Sequence, residues 1–271
     1  MKRTLTILLA CASLLHAEVK VSVAGVNDQR SDGSFSGSLD IALILSGPEL
    51  KNARRIRVKL ESATDETGRN LLKDSDEIFD EGFMTFKRPT SDRSKGGNDA
   101  FEIEIGLKNP AREAKTVKNI TGVIELLVPS NDPESIITAS PTKDAGKPLD
   151  NPALKAISTK ITLLTKATGV LATKKRNGRN QTDDDSSIGD AQLGYKLSGS
   201  KGAVADVEFC SASGQALKTV KGVYSFGDEK SDTFIASFRD KPPADAVAKI
   251  YLLTEKSLVK IPLNLTAVPL P

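Results

Sequence analysis

Phe101-Glu102-Ile103-Glu104-Ile105-Gly106-Leu107 sets apolar side chains at 101, 103, 105 and 107, with both carboxylates on the other parity. Successive side chains of an extended chain point to opposite faces, so the run reads as a strand with one buried and one wet face. The same period recurs on either side. Val19, Val21 and Val23 alternate with Lys20 and Ser22, and Ile56, Val58 and Leu60 with Arg57 and Lys59. Leu39, Ile41, Leu43 and Leu45 mark one face of a longer strand. Further strands are expected at 123–128, 161–164, 192–197, 204–209, 233–238, 248–253 and 258–263. Helix is confined to short turns at 109–115 and 150–157, where Asn109 and Asp150-Asn151 stand before Pro110 and Pro152. Short strands with one polar face and frequent turn signals predict an all-β protein built from sandwiches.

Lys174 to Ser187 contains no apolar side chain, with a basic half (Lys174, Lys175, Arg176, Arg179) and an acidic half (Asp183, Asp184, Asp185). Such a stretch cannot join a core, and it divides the chain. The expected organisation is a signal peptide at 1–17, a sandwich domain with loop insertions at 18–166, a polar linker at 167–190 and a smaller sandwich at 191–271. The halves share an order of features. Val58, Leu60, Ser62-Ala63, Gly68 and Leu71 parallel Val207, Phe209, Ser211-Ala212, Gly214 and Leu217. Pro110 to Ala114 before Ile124-Glu125-Leu126-Leu127 parallels Pro243 to Ala246 before Ile250-Tyr251-Leu252-Leu253. Common ancestry and shared hairpin grammar both account for this. With the terminal run from Ile261-Pro262-Leu263 to Pro271, the chain resembles uncharacterised bacterial exported proteins with immunoglobulin- or fibronectin-III-like domains. The resemblance implies two tandem immunoglobulin-like sandwiches and an envelope or extracellular setting. It supplies no catalytic residue, and neither half carries a Cys…Trp…Cys core.

The N-terminus supports export. Met1-Lys2-Arg3 is a basic start, residues 4–15 are mostly apolar, and Leu15-His16-Ala17 precedes a candidate cleavage point at Glu18. The alternative is Leu8-Leu9-Ala10-Cys11 as a lipoprotein box, with Cys11 lipidated. No later segment approaches the roughly 20 apolar residues of a membrane helix. Cleavage before Glu18 removes the only histidine, His16, and leaves Cys210 as the sole thiol. That excludes histidine-based triads and metal sites. One thiol cannot close an internal disulfide, and Cys210, after Phe209 in a strand-like run, is expected to be buried. With Lys2 and Arg3 gone, 36 basic side chains face 35 acidic ones, which is no nucleic-acid footprint.

The remaining constellations have plainer readings. Asp183, Asp185, Ser187 and Asp190 suggest a Ca²⁺ loop, but Ile188 stands where an EF-hand needs glycine. Asp65 and Glu66, with Asp74, Asp76, Glu77, Asp80 and Glu81, offer carboxylate pairs for glycan hydrolysis. A sugar cleft also wants aromatic faces, and there is no tryptophan. Ser257 and Lys260 form a Ser-x-x-Lys pair, but in a strand they point to opposite faces. Asn119, Asn180 and Asn264 open glycosylation sequons, which matter only in a host that glycosylates. The expectation is therefore a non-catalytic structural or binding module, periplasmic or extracellular, with no catalytic, metal or cofactor residues. Its partner is a protein or polymer met by loops (88–98 and 131–147) or a sheet edge, with no nucleic acid and no membrane helix. A carboxylate-dependent glycan hydrolase and a lipid-anchored envelope component are the rivals.

Overall fold

The computed structural model describes residues 19–30, 37–74, 83–84, 100–168, 188–227 and 231–271, with the backbone alone for 221–226. The expected signal peptide with Cys11 and His16, the loop at 88–98, the carboxylates at 76–81 and the run at 174–187 lie outside these residues. The strands are β1 (Lys20–Gln29), β2 (Ser38–Ser46), β3 (Arg55–Asp65), β4 (Ala100–Leu107), β5 (Thr116–Leu127), β6 (Ile136–Ala139) and β7 (Thr159–Leu164). They continue as β8 (Gln192–Gly199), β9 (Val204–Cys210), β10 (Thr219–Gly227), β11 (Ser231–Phe238), β12 (Val247–Leu252) and β13 (Leu258–Pro269). The protein is all-β, and every strand pairing is antiparallel.

Alternation becomes register directly. Leu39, Ile41, Leu43 and Leu45 of β2 lie opposite Leu107, Ile105, Ile103 and Phe101 of β4. The four β2 residues are fully buried, and polar neighbours such as Glu102 and Glu104 take the open face. The sheet β1-β2-β4 shares one apolar core with the sheet β13-β5-β3, to which Ile56, Val117, Ile120, Ile124, Leu126, Ile261, Leu263 and Val268 contribute. A second core lies between β10-β11-β8-β7 and β6-β12-β9, built from Ile137, Ile161, Leu163, Leu193, Phe209, Phe238, Ile250 and their neighbours. Phe209 meets Phe238 edge-on at 6.1 Å, the geometry that ring quadrupoles favour.

The two cores cut the chain differently from the expected boundaries. β13, at the C-terminus, pairs along its length with β5 and supplies the first core. β6, which follows β5 in sequence, pairs with β12 and supplies the second. In a tandem arrangement each lobe would be one continuous stretch; here β6 to β12 form the second lobe and are inserted between β5 and β13 of the first. The stretch at 167–190 therefore does not join two lobes. It connects β7 to β8, which pair with each other inside the second lobe. Its composition reveals an excursion from a core but not which core the chain leaves and re-enters.

Of the two expected helical turns, only one forms. The helix α1 (Pro152–Ala156) starts after Asn151, whose side chain accepts the Ala153 N–H at 2.9 Å. Residues 109–115 make a tight turn instead, closed by the Ala114 N–H on the Ala111 carbonyl. The backbone N–H groups of Ala111 and Lys115 are drawn to the carboxylates of Asp65 and Glu66, so no helical ladder propagates.

Candidate functional site

Asp65 and Glu66 close the end of β3. Asp65 is fully buried; its Oδ1 accepts Thr67 N–H at 2.9 Å, Thr67 O–H at 2.7 Å and Arg69 N–H at 3.0 Å, and its Oδ2 accepts Ala111 N–H at 2.8 Å. Burial pushes this carboxyl upward, but the donors, led by Ala111, outweigh it and hold it below the usual carboxylate range. Glu66 accepts Lys115 N–H and Thr116 O–H. Each oxygen of the pair thus faces a protein donor. The two residues fasten a hairpin to the start of β5.

The same hairpin is built again in the second lobe. Asp65 N–H bonds to Arg69 C=O and Ser211 N–H to Gln215 C=O. The Leu71 N–H returns to Ala63 C=O, and the Leu217 N–H to Phe209 C=O. Gly68 and Gly214 take φ of 90° and 84°, a region glycine enters without cost. Ser211 stands where Asp65 does, its Oγ accepting Gln215 N–H as Asp65 Oδ1 accepts Arg69 N–H. The expected glycine and leucine correspondences hold, while Ser62-Ala63 does not align with Ser211-Ala212.

A charged cluster joins the lobes. Arg55, the first residue of β3, bonds Asp206 of β9 at 2.6 Å, and Arg54 reaches Glu208 at 2.6 Å. The Arg54 guanidinium lies 4.2 Å over the Tyr251 ring of β12, a cation–π contact. Tyr251 O–H and the Cys210 thiol both donate to Glu208 Oε2, at 3.2 and 3.4 Å. Burial pushes the Cys210 thiol up, with Glu208 adding to it, to about 11. Burial also opposes the Glu208 charge, yet Arg54 keeps its carboxyl below the ordinary range. A protonated, buried thiol beside a carboxylate is no nucleophile. The cluster's chemistry is ion pairing across a lobe boundary.

A second cluster spans one sheet: Arg57 of β3 grips Glu125 of β5 through Nε and Nη2, at 2.8 and 2.6 Å, with Lys59 at 3.2 Å. Ser257 and Lys260 are not brought together. Ser257 is buried in the turn before β13, donating to Thr254 C=O at 2.9 Å, and Lys260 is exposed. Asp190 is exposed and pairs with Lys166 at 2.8 Å. Among the described residues no group of three or more His, Cys, Asp or Glu is placed to hold a metal, and no helix is long and apolar enough to cross a membrane.

Depressions lie on the surface of the described residues. One, about 520 Å³, lies between 217–220 and 238–243. The larger, about 1260 Å³, is an open groove between the edge strands β1 and β13, with Val19, Val21, Glu49, Leu258, Ile261 and Leu265 in its walls. No known protein family, curated protein or solved structure matches the chain. Sequence reasoning did not find Arg54, Arg55, Asp206 or Glu208. Their partners lie some 150 residues apart in the chain, so no local spacing carries the signal.

Proposed function

We propose that the protein is a non-catalytic exported module of the cell envelope or extracellular space, whose immunoglobulin-like sandwiches present a sheet edge to a protein partner. The observation that carries this reading is the groove between β1 and β13. Each of these strands has a described neighbour on one side only, so main-chain N–H and C=O groups border the groove. Pro262 and Pro269 remove donors from β13, whereas β1 contains no proline. An extended segment of a partner would therefore pair with β1, with main-chain hydrogen bonds giving affinity and the groove walls giving choice. The described polar clusters, occupied in fastening hairpins and lobes, favour this over the glycan-hydrolase reading. Cleavage before Glu18 favours a free exported protein, and lipidation at Cys11 an anchored one; intact mass separates the two.

A photo-crosslinking side chain at Val23 of β1, in cells of the native host, tests the reading. Val23 is 38% exposed. The expected result is a discrete adduct from position 23 and none from position 155 on exposed Lys155 of α1. Adducts from both positions alike, or reproducible cleavage of a polysaccharide by the purified protein, would overturn it.

A further inference from the structure

Glu49 sits in the short 3-10 turn Pro48–Lys51, and its Oε2 is buried without a hydrogen-bond partner among the described residues. A carboxylate oxygen removed from water with no donor is costly, and native folds rarely leave one so. The oxygen lies beside the first described residue of the chain. A methyl group placed on Gly47 would sit 3.0 Å from the Val19 Cα and 3.3 Å from Glu49 Oε2, so the two flank a single point. Val19 is fixed there: it is 7% exposed and belongs to the first core, and Lys20 begins the pairing of β1 with Ser46. Val19 and Glu49 also line the same groove. The residue before Val19 is joined to it by one peptide bond, and adjacent Cα atoms are only about 3.8 Å apart.

We infer that Glu49 receives the α-ammonium group created on Glu18 by cleavage after Ala17. The inference rests on the export reading for the cleavage itself, while the receiving carboxylate is a property of the fold. Hydrolysis of the Ala17–Glu18 peptide bond puts the carboxylate on Ala17 and the amino group on Glu18. At neutral pH that amine is largely protonated and brings several donors and a full charge. The uncut chain has one neutral amide N–H at the same position. The pair therefore forms only in the processed chain, and it pins the new N-terminus at the mouth of the β1–β13 groove.

Two forms of the mature chain test this, one released by a protease that leaves a free amino group on Glu18, the other carrying Gly-Ser ahead of it. Each is made with Glu49 and with the Glu49→Gln substitution. The free-start chain is expected to melt about 2–4 °C above the extended one, and Glu49→Gln should abolish that difference. Equal melting of the two starts, or a difference that survives Glu49→Gln, would overturn the pairing. N-terminal sequencing of the exported protein reads the other half: a start elsewhere than Glu18 overturns the expected cleavage, whatever the melting curves give.

Discussion

Asp65 satisfies donors from three other residues in one turn, so replacing one of its oxygens has a defined effect. Asp65→Asn keeps an acceptor for Thr67 and Arg69 but turns an amide against the Ala111 N–H. Denaturant unfolding should show a loss of about 1–3 kcal/mol. The acid limb should change too. Asp65 and Glu125 are both held below the ordinary carboxylate range: burial opposes this, but backbone donors at Asp65, and Arg57 with Lys59 at Glu125, prevail. Their contribution is complete above the unfolded-state value of about 4 and is lost as pH falls through the lower folded-state value. Wild-type melting temperature should therefore drop below about pH 4, and Asp65→Asn should flatten that drop. Cys210, buried and pushed up to about 11, should resist thiol reagents at neutral pH until the protein unfolds; rapid labelling of the native state would contradict this. At this scale the sequence was half legible. Asp65 and Glu66 stood out as carboxylates, but only their surroundings show that backbone donors occupy them. Arg55 and Asp206 carry no mark that they meet.

Alternation made the strands readable because one face of each is buried and the other wet, as in β2 and β4. It failed where that contrast is missing. β6 is four residues long, and β10 begins Thr-Val-Lys-Gly, with glycine interrupting the pattern. The first half of β5, Thr116 to Thr121, looked too polar, yet Val117 and Ile120 are fully buried. Pairing is a separate matter from strand formation: β13 alternates equally well whether it lies on β5 or β12. Gly122 marks how closely β3 approaches β5. It faces Leu263 on one side and Leu60 on the other, and a Cβ there would meet the Lys59 carbonyl oxygen at 2.2 Å. Gly122→Ala must push β3 away from β5, and a loss of about 1–3 kcal/mol is expected in denaturant unfolding. An unchanged unfolding midpoint would contradict that packing.

For the molecule as a whole, the insertion of β6 to β12 between β5 and β13 makes the first lobe depend on chain that lies beyond the second. The Arg55–Asp206 and Arg54–Glu208 pairs reinforce that dependence from the side chains. A double-mutant cycle of Arg55→Ala and Asp206→Ala should give a coupling of about 0.5–3 kcal/mol in thermal or denaturant unfolding; strict additivity would mean the lobes do not use this contact. The insertion is most directly tested by nuclear Overhauser contacts along β13. Cross-strand signals should join Asn264 to Thr121 and Ile261 to Ile124, and Ile137 to Ile250. Signals from β13 to β12 in their place would put β13 in the second lobe and contradict the fold described above.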